Sequence, residues 1–462
     1  MAGWLATTDS GALHAAEHVE YCAAVKAARA DERLDRALGP WSVGVNAVNL
    51  SLGAGIFALP AAVAAILGPA AILAYLVCGV AIALVLTCFA EIGSQTTRSG
   101  GAVAYVEDAF GPLAGFLAWV VFTPGFCLAS DAAVANVLIG AIGTVVPALA
   151  HGLARAVALV LIFTTLAAVN IAGVRQGARM AVATTAAKLA PLLLVIGAGA
   201  LAMHWEELRW MAWPSTAKVG EASLLLFFAY AGAESAVTPG GEIRDPARTI
   251  PRGLLGGTAV LIVLYASVQL MTQGVLGAGI TQHADAPLAA VGQRVLGAVG
   301  QNLVVVCTAL AGLGLLAGDM LASPRALLPM AENGMLPAFL GAVHPRFRTP
   351  HVAIAAYAAT TCVLAISGAF ATLAILASIS LLIVYFAVCL AALKLRVTHL
   401  RPPGAFRAPG GPLVPLVGAI VVAWLLSHTS AAEARGMALA LVIAAVYYAI
   451  RRHLLGRARS TP

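Results

Sequence analysis

Two apolar stretches of this chain are interrupted by glycine at matching places: Gly53-Ala54-Gly55-Ile56-Phe57, and Phe228-Ala229-Tyr230-Ala231-Gly232-Ala233-Glu234-Ser235. Unwinding at Gly53 to Gly55 would leave N–H donors at the start of a half-helix, where the positive end of the helix dipole favours a carboxylate. Unwinding at Ala229 to Gly232 would leave carbonyls that accept from an ammonium. A zwitterion matches both. A third feature is a lone cation, Lys188, about seven residues into an apolar run and so roughly 10 Å deep at 1.5 Å per residue. An ammonium at the centre of a bilayer costs about 2.5 to 3.5 kcal/mol on insertion scales, which marks such a residue for function. The competing reading is that Lys188 snorkels to the interface.

These residues need a frame that buries them. The chain has 462 residues, 61% hydrophobic and 10% charged, and its mean hydropathy is +0.93. A soluble domain carries roughly 25% charged residues, so the composition implies an integral membrane protein. Runs of about 20 apolar residues, each enough for a hydrocarbon core of roughly 30 Å, place twelve spans at 41–66, 69–94, 112–148, 153–173, 181–204, 220–240, 252–276, 298–328, 351–368, 371–395, 411–429 and 433–453.

Lipid offers no hydrogen bonds, so backbone that leaves the helix within a span must find protein, water or cargo. Glycine-interrupted spans in corresponding halves are therefore the best sequence pointer to a carrier's binding site. Spans one to five (41–204) and six to ten (220–396) each open on a broken helix. Five helices per copy makes the second copy enter from the opposite face, an inverted repeat, with 411–453 left as a peripheral pair. The competing reading is close packing, since glycine is frequent, at 46 residues, and small-xxx-small motifs tolerate it.

Of 27 Lys and Arg residues, 21 fall on one side of this topology. The positive-inside bias then puts both termini in the cytoplasm, with tails at 1–40 and 454–462. The first tail carries mixed charge and lacks the form of a signal peptide. The seven cysteines, Cys22 among them, form no C-x-x-C pair and read as small buried hydrophobes. No nucleic-acid partner, metal or cofactor is implied.

The motifs resemble those of the amino acid–polyamine–organocation superfamily of permeases over nearly the whole chain. Gly53-Ala54-Gly55-Ile56-Phe57-Ala58-Leu59-Pro60 is similar to that family's first-helix G-S-G-I-F motif, with Ala54 in place of the common serine. Ser99-Gly100-Gly101-Ala102-Val103-Ala104-Tyr105 with Phe110-Gly111-Pro112 resembles its loop between helices two and three. The stretch from Phe227 to Arg252 resembles its sixth helix, and Pro324-Arg325, Glu332-Asn333-Gly334, Leu336-Pro337 and Arg348-Thr349-Pro350 resemble the end of helix eight and its loop.

The resemblance implies a LeuT-like fold of 5+5 repeats plus two helices, in the cell membrane as a monomer or homodimer, moving amino acids or related amines by alternating access. It implies substrate contacts at Gly53, Ala54, Gly55, Ile56, Phe228, Ala229, Tyr230, Ala231 and Gly232, with Phe228 as an aromatic gate or plain packing. Lys188 matches the lysine that replaces a sodium site and titrates with protons. Glu234, in Gly232-Ala233-Glu234-Ser235-Ala236, is a proton-linked gate or cation site, or else a carboxylate holding unwound amides. Losing the serine hydroxyl at Ala54 removes one hydrogen bond, worth about 0.5 to 1.5 kcal/mol net, so substrate preference does not transfer unqualified.

Proton-coupled symport leads, with obligatory exchange of cationic amino acids or polyamines as the alternative. Asp131 and Asp319 read as helix-interface residues, with Asp319 a partner for Arg325. An enzyme is disfavoured: Gly318-Asp319 has Leu316 where an intramembrane aspartyl protease has glycine, and no His-Glu-x-x-His occurs. No filter loop or charge ring suggests a channel.

Overall fold

The computed structural model describes residues 38–53, 55–95, 100–172, 178–238, 240–398 and 404–460. Residues 1–37 of the expected 1–40 tail, Cys22 among them, together with Ala54 and Ser99, lie outside the described residues. Among the described residues the chain is all-helical, its one extended pairing a single parallel bridge from Leu38 to Ile243.

The helices run α1 (Pro40–Ser51), α2 (Gly55–Leu67), α3 (Ile72–Gly93), α4 (Gly101–Phe110), α5 (Pro112–Val120), α6 (Leu128–Gly143), α7 (Gly152–Ala172) and α8 (Ala178–Ala202). The second half continues with α9 (Thr216–Tyr230), α10 (Pro246–Leu276), α11 (Pro287–Ala322), α12 (Leu327–Glu332), α13 (His351–Ser367), α14 (Phe370–Thr398), α15 (Leu413–Leu426) and α16 (Ala431–Ser460). Proline opens α1, α5, α10 and α11, where its fixed φ suits the first turn and its missing N–H costs nothing.

Among the described residues, eight helical runs are long and apolar enough to cross a membrane: Gly55–Gly93, Pro112–Gly143, Gly152–Ala172, Thr185–Ala202, Pro246–His283, Pro287–Glu332, Phe370–Thr398 and Ala431–Leu455. The apolar helices His351–Ser367 and Leu413–Leu426 are shorter. The difference from twelve has a physical origin. The stretches 41–66 and 220–240 are broken, so α1 and α9 fall short at 12 and 15 residues. The second half of the first break runs on into α3 through a tight turn at Gly68–Ala71, which starts from Gly68 at φ +57°.

One element departs from the sequence expectation. The segment 287–296, outside every expected span, is helical and folds back at Gly297, whose φ is +65°. A Cβ on Gly292 would lie 2.5 Å from the Gly300 carbonyl oxygen, so the two arms touch backbone to backbone.

The packing gathers the broken helices at the centre. α1 lies along α10, α9 packs on α2 and α3, α11 packs on α8 and α6, and α14 closes on α6, α3 and α9. Between α5 and α6 the chain widens into a π-helix, Val121–Cys127, around Pro124. Such a bulge accommodates the proline's missing donor and recurs at functional sites. A buried ion pair ties α3 to α14: Arg396 grips Glu91 in bidentate fashion, and Glu91 also accepts from the Ala408 amide.

Candidate functional site

The first break is a defined turn. Leu52 has φ −77° and ψ 65°, and Gly53 N–H donates to the Ser51 carbonyl at 2.8 Å, the pattern of an inverse γ-turn. Tyr265 of α10 donates its hydroxyl to the same Ser51 carbonyl at 2.8 Å. The chain therefore leaves α1 with its last carbonyl satisfied twice and restarts at Gly55. The first N–H groups of α2, at Gly55, Ile56 and Phe57, have no carbonyl one turn back. Ala54, between them, lies outside the described residues.

Two close approaches explain the glycines. A Cβ on Gly53 would lie 2.7 Å from Leu315 Cδ1, and one on Gly55 would lie 2.8 Å from Phe228 Cε1. The Phe228 ring thus covers the start of α2, and it packs edge-on against Phe370 of α14 with centroids 6.0 Å apart. Phe228 bridges the two breaks and the head of α14, which both a gate and simple packing require.

The second break starts later than the sequence suggests. Ala229 and Tyr230 remain in the last turn of α9, and the unwound residues are Ala231, extended at φ −65° and ψ 149°, and Gly232, at φ +108°. The last four carbonyls of α9 lack helical partners, so the acceptors expected at Ala229 and Tyr230 are still present. The Tyr230 side chain turns away, donating to the Tyr75 carbonyl at 3.3 Å and packing on Tyr265 at 5.0 Å. Gly232 sits against α1: a Cβ there would lie 2.6 Å from the Leu50 oxygen.

Glu234 is buried beside this break. Its Oε2 accepts from Gly232 N–H at 2.9 Å and from the Tyr385 hydroxyl at 2.5 Å, while its Oε1 is buried with no partner. The carboxyl holds the unwound amide and keeps one oxygen in reserve. Both readings of Glu234 retain a basis here.

Lys188 is buried, with 4% of its surface exposed, so its side chain lies inside the protein in this conformation. Its Nζ donates to Asn49 Oδ1 of α1 at 3.3 Å, and its carbonyl accepts from the Cys307 thiol of α11 at 3.2 Å. A Cβ on Gly314 of α11 would lie 3.8 Å from the Nζ, an ordinary van der Waals separation, so the end of the lysine passes close beside α11. The cation thus meets α1 four residues before Gly53, with α11 alongside.

Asp319 does not pair with Arg325, whose guanidinium donates to the Leu321 carbonyl instead. Asp131 is buried in the first turn of α6 and accepts from the Tyr357 hydroxyl at 2.9 Å. Asn49, Tyr265, Phe370 and Tyr385 also belong to the site and carry no sequence signal, since each partner is remote in the chain. No group of three or more His, Cys, Asp or Glu side chains able to hold a metal occurs among the described residues.

Comparison with known proteins adds a family. A family model described as amino acid permease matches residues 38–446. An uncharacterized transporter of Mycobacterium tuberculosis is 32% identical over 444 residues, covering 93% of this chain and 94% of that protein. The serine/threonine exchanger SteT of Bacillus subtilis is 26% identical, covering 88% of this chain and 94% of its own length. The Asc-type amino acid transporter 1 of Mus musculus is 28% identical over 401 residues, covering 83% of this chain and 74% of its own.

Proposed function

The chain belongs to the amino acid permease family, and from that membership we propose that it is a secondary active transporter moving amino acids or related amines across the cell membrane by alternating access. The motion is coupled to protons through Lys188. The working frame is twelve spans in a LeuT-like 5+5 inverted repeat with two peripheral helices and both termini cytoplasmic, in which α1 and α9 are the broken first helices of the two copies.

One observation carries the mechanism: the buried Lys188 ammonium bonds to Asn49, on the helix whose break opens the substrate site. Losing or gaining the lysine proton changes that bond, and with it the position of α1. The substrate carboxylate docks on the N–H groups of Gly55 and Ile56, beside Gly53 and Ala54. Its ammonium docks on the free carbonyls at the end of α9, from Ala229 through Ala231, with Phe228 lying over the occupant and Gly232 giving the approach.

A second reading, obligatory exchange of cationic amino acids or polyamines, is favoured by the free Oε1 of Glu234 at the break. Uptake by the purified protein in liposomes separates the two. A proton symporter fills empty vesicles when the outside is acid, and an exchanger needs internal counter-substrate. Equal uptake with and without a proton gradient, seen only in preloaded vesicles, decides for exchange.

A further inference from the structure

A pair of acids lies apart from Lys188. Asp131 of α6 is fully buried, and Asp319, half-buried in the last turn of α11, brings its carboxyl within hydrogen-bond reach of it. Tyr357 of α13 donates to Asp131 Oδ2, while Asp131 Oδ1 is buried and receives no donor from the protein. The other groups that face the pair are Cys127, at the end of the π-helix, and Glu234, from the second break.

No Lys or Arg among the described residues pairs with either acid. Two carboxylates in contact repel each other, and with Asp131 fully buried the doubly charged pair is strongly disfavoured. Carboxyl pairs of this kind elsewhere hold one proton between them. The orphaned Oδ1 is the atom such a proton would satisfy, because a buried acceptor without a donor costs about 1 to 3 kcal/mol.

We propose that Asp131 and Asp319 form a proton site separate from Lys188, in which one proton is shared between the two carboxyls and exchanged with water that reaches Asp319. Hydronium delivers the proton to a carboxyl oxygen and leaves as water, giving one neutral acid and one carboxylate, and water takes the proton back as hydronium when the pair parts. Asp131 stands on a helix of the first half of the chain and Asp319 on one of the second, so a movement of one half against the other separates the two carboxyls. The inference goes beyond the Lys188 reading and does not depend on it.

Infrared difference spectra of the purified full chain in lipid discs test it, through the carboxyl C=O band that shifts in deuterium oxide. The wild type and E234Q are expected to show this band at neutral pH, and D131N and D319N are each expected to lose it. A band that survives in both aspartate variants overturns the proposal, as does its absence from the wild type. Where D131N does not fold, D319N and the wild type still decide the matter, since Asp319 is half-buried and its amide can donate to Asp131. The readout involves no transport, so failure of the Lys188 mechanism leaves it standing, and its own failure leaves that mechanism untouched.

Discussion

The α-carbon of Gly232 rests on the carbonyl of Leu50, so close that any Cβ at position 232 would lie 2.6 Å from that oxygen. The two helix breaks are therefore not parallel accidents of composition. They are pressed backbone to backbone, and the second also needs the φ of +108° that side chains resist.

Gly232→Ala is expected to cost about 1 to 3 kcal/mol through backbone strain alone, with further loss because the opposing atom is backbone and cannot rotate aside. Thermal unfolding of the purified variant checks this. A midpoint equal to wild type would mean that the breaks are not in contact.

Gly55→Ala meets a side chain instead, the edge of the Phe228 ring at 2.8 Å. Substrate affinity should fall in this variant and recover in Gly55→Ala/Phe228→Leu, where the shorter side chain makes room. Contacting residues give coupling energies of about 0.5 to 3 kcal/mol. Additive losses in the double variant would show that the ring and the start of α2 act independently.

What is legible in the sequence follows from cost per residue. Glycines in an apolar run and a lysine inside a span are expensive unless used, so Gly53, Gly232 and Lys188 stand out without any partner being known. Tyr265 and Ser51 are 214 positions apart and Tyr385 and Glu234 are 151 apart. A tyrosine in an apolar helix has no signature until the fold shows what its hydroxyl reaches. Helix lengths are less legible than helix existence: hydropathy averages across a break, and so it merges α1 with α2 and hides the arm folded back at Gly297.

Tyr385→Phe removes the 2.5 Å donor to Glu234 Oε2 and leaves that buried oxygen with the Gly232 amide alone. The expected penalty is about 1 to 3 kcal/mol, seen as a lowered unfolding midpoint together with slower uptake at saturating substrate. Unchanged maximal uptake would separate Glu234 from the moving break.

Arg396→Ala takes the guanidinium from a carboxylate in the core, since both side chains of the pair are almost fully buried, at 7% and 1% exposed. Breaking such a pair costs about 3 to 5 kcal/mol, and Glu91→Gln in the same chain should restore part of it by removing the buried negative charge. Measured unfolding midpoints that rank the double variant below Arg396→Ala would contradict this.

The proposed mechanism stands on the Lys188 ammonium, bonded to Asn49, linking proton movement to the helix break that opens the site. Accumulation of a radiolabelled amino acid in proteoliposomes with acid outside, compared between the wild type and Lys188→Ala, puts that link to the test. Substrate binding by thermal shift serves as the check on folding. The expected result is concentrative uptake in the wild type, abolished in Lys188→Ala while substrate still shifts its melting. Undiminished proton-driven accumulation by Lys188→Ala would show that the lysine does not couple protons to transport.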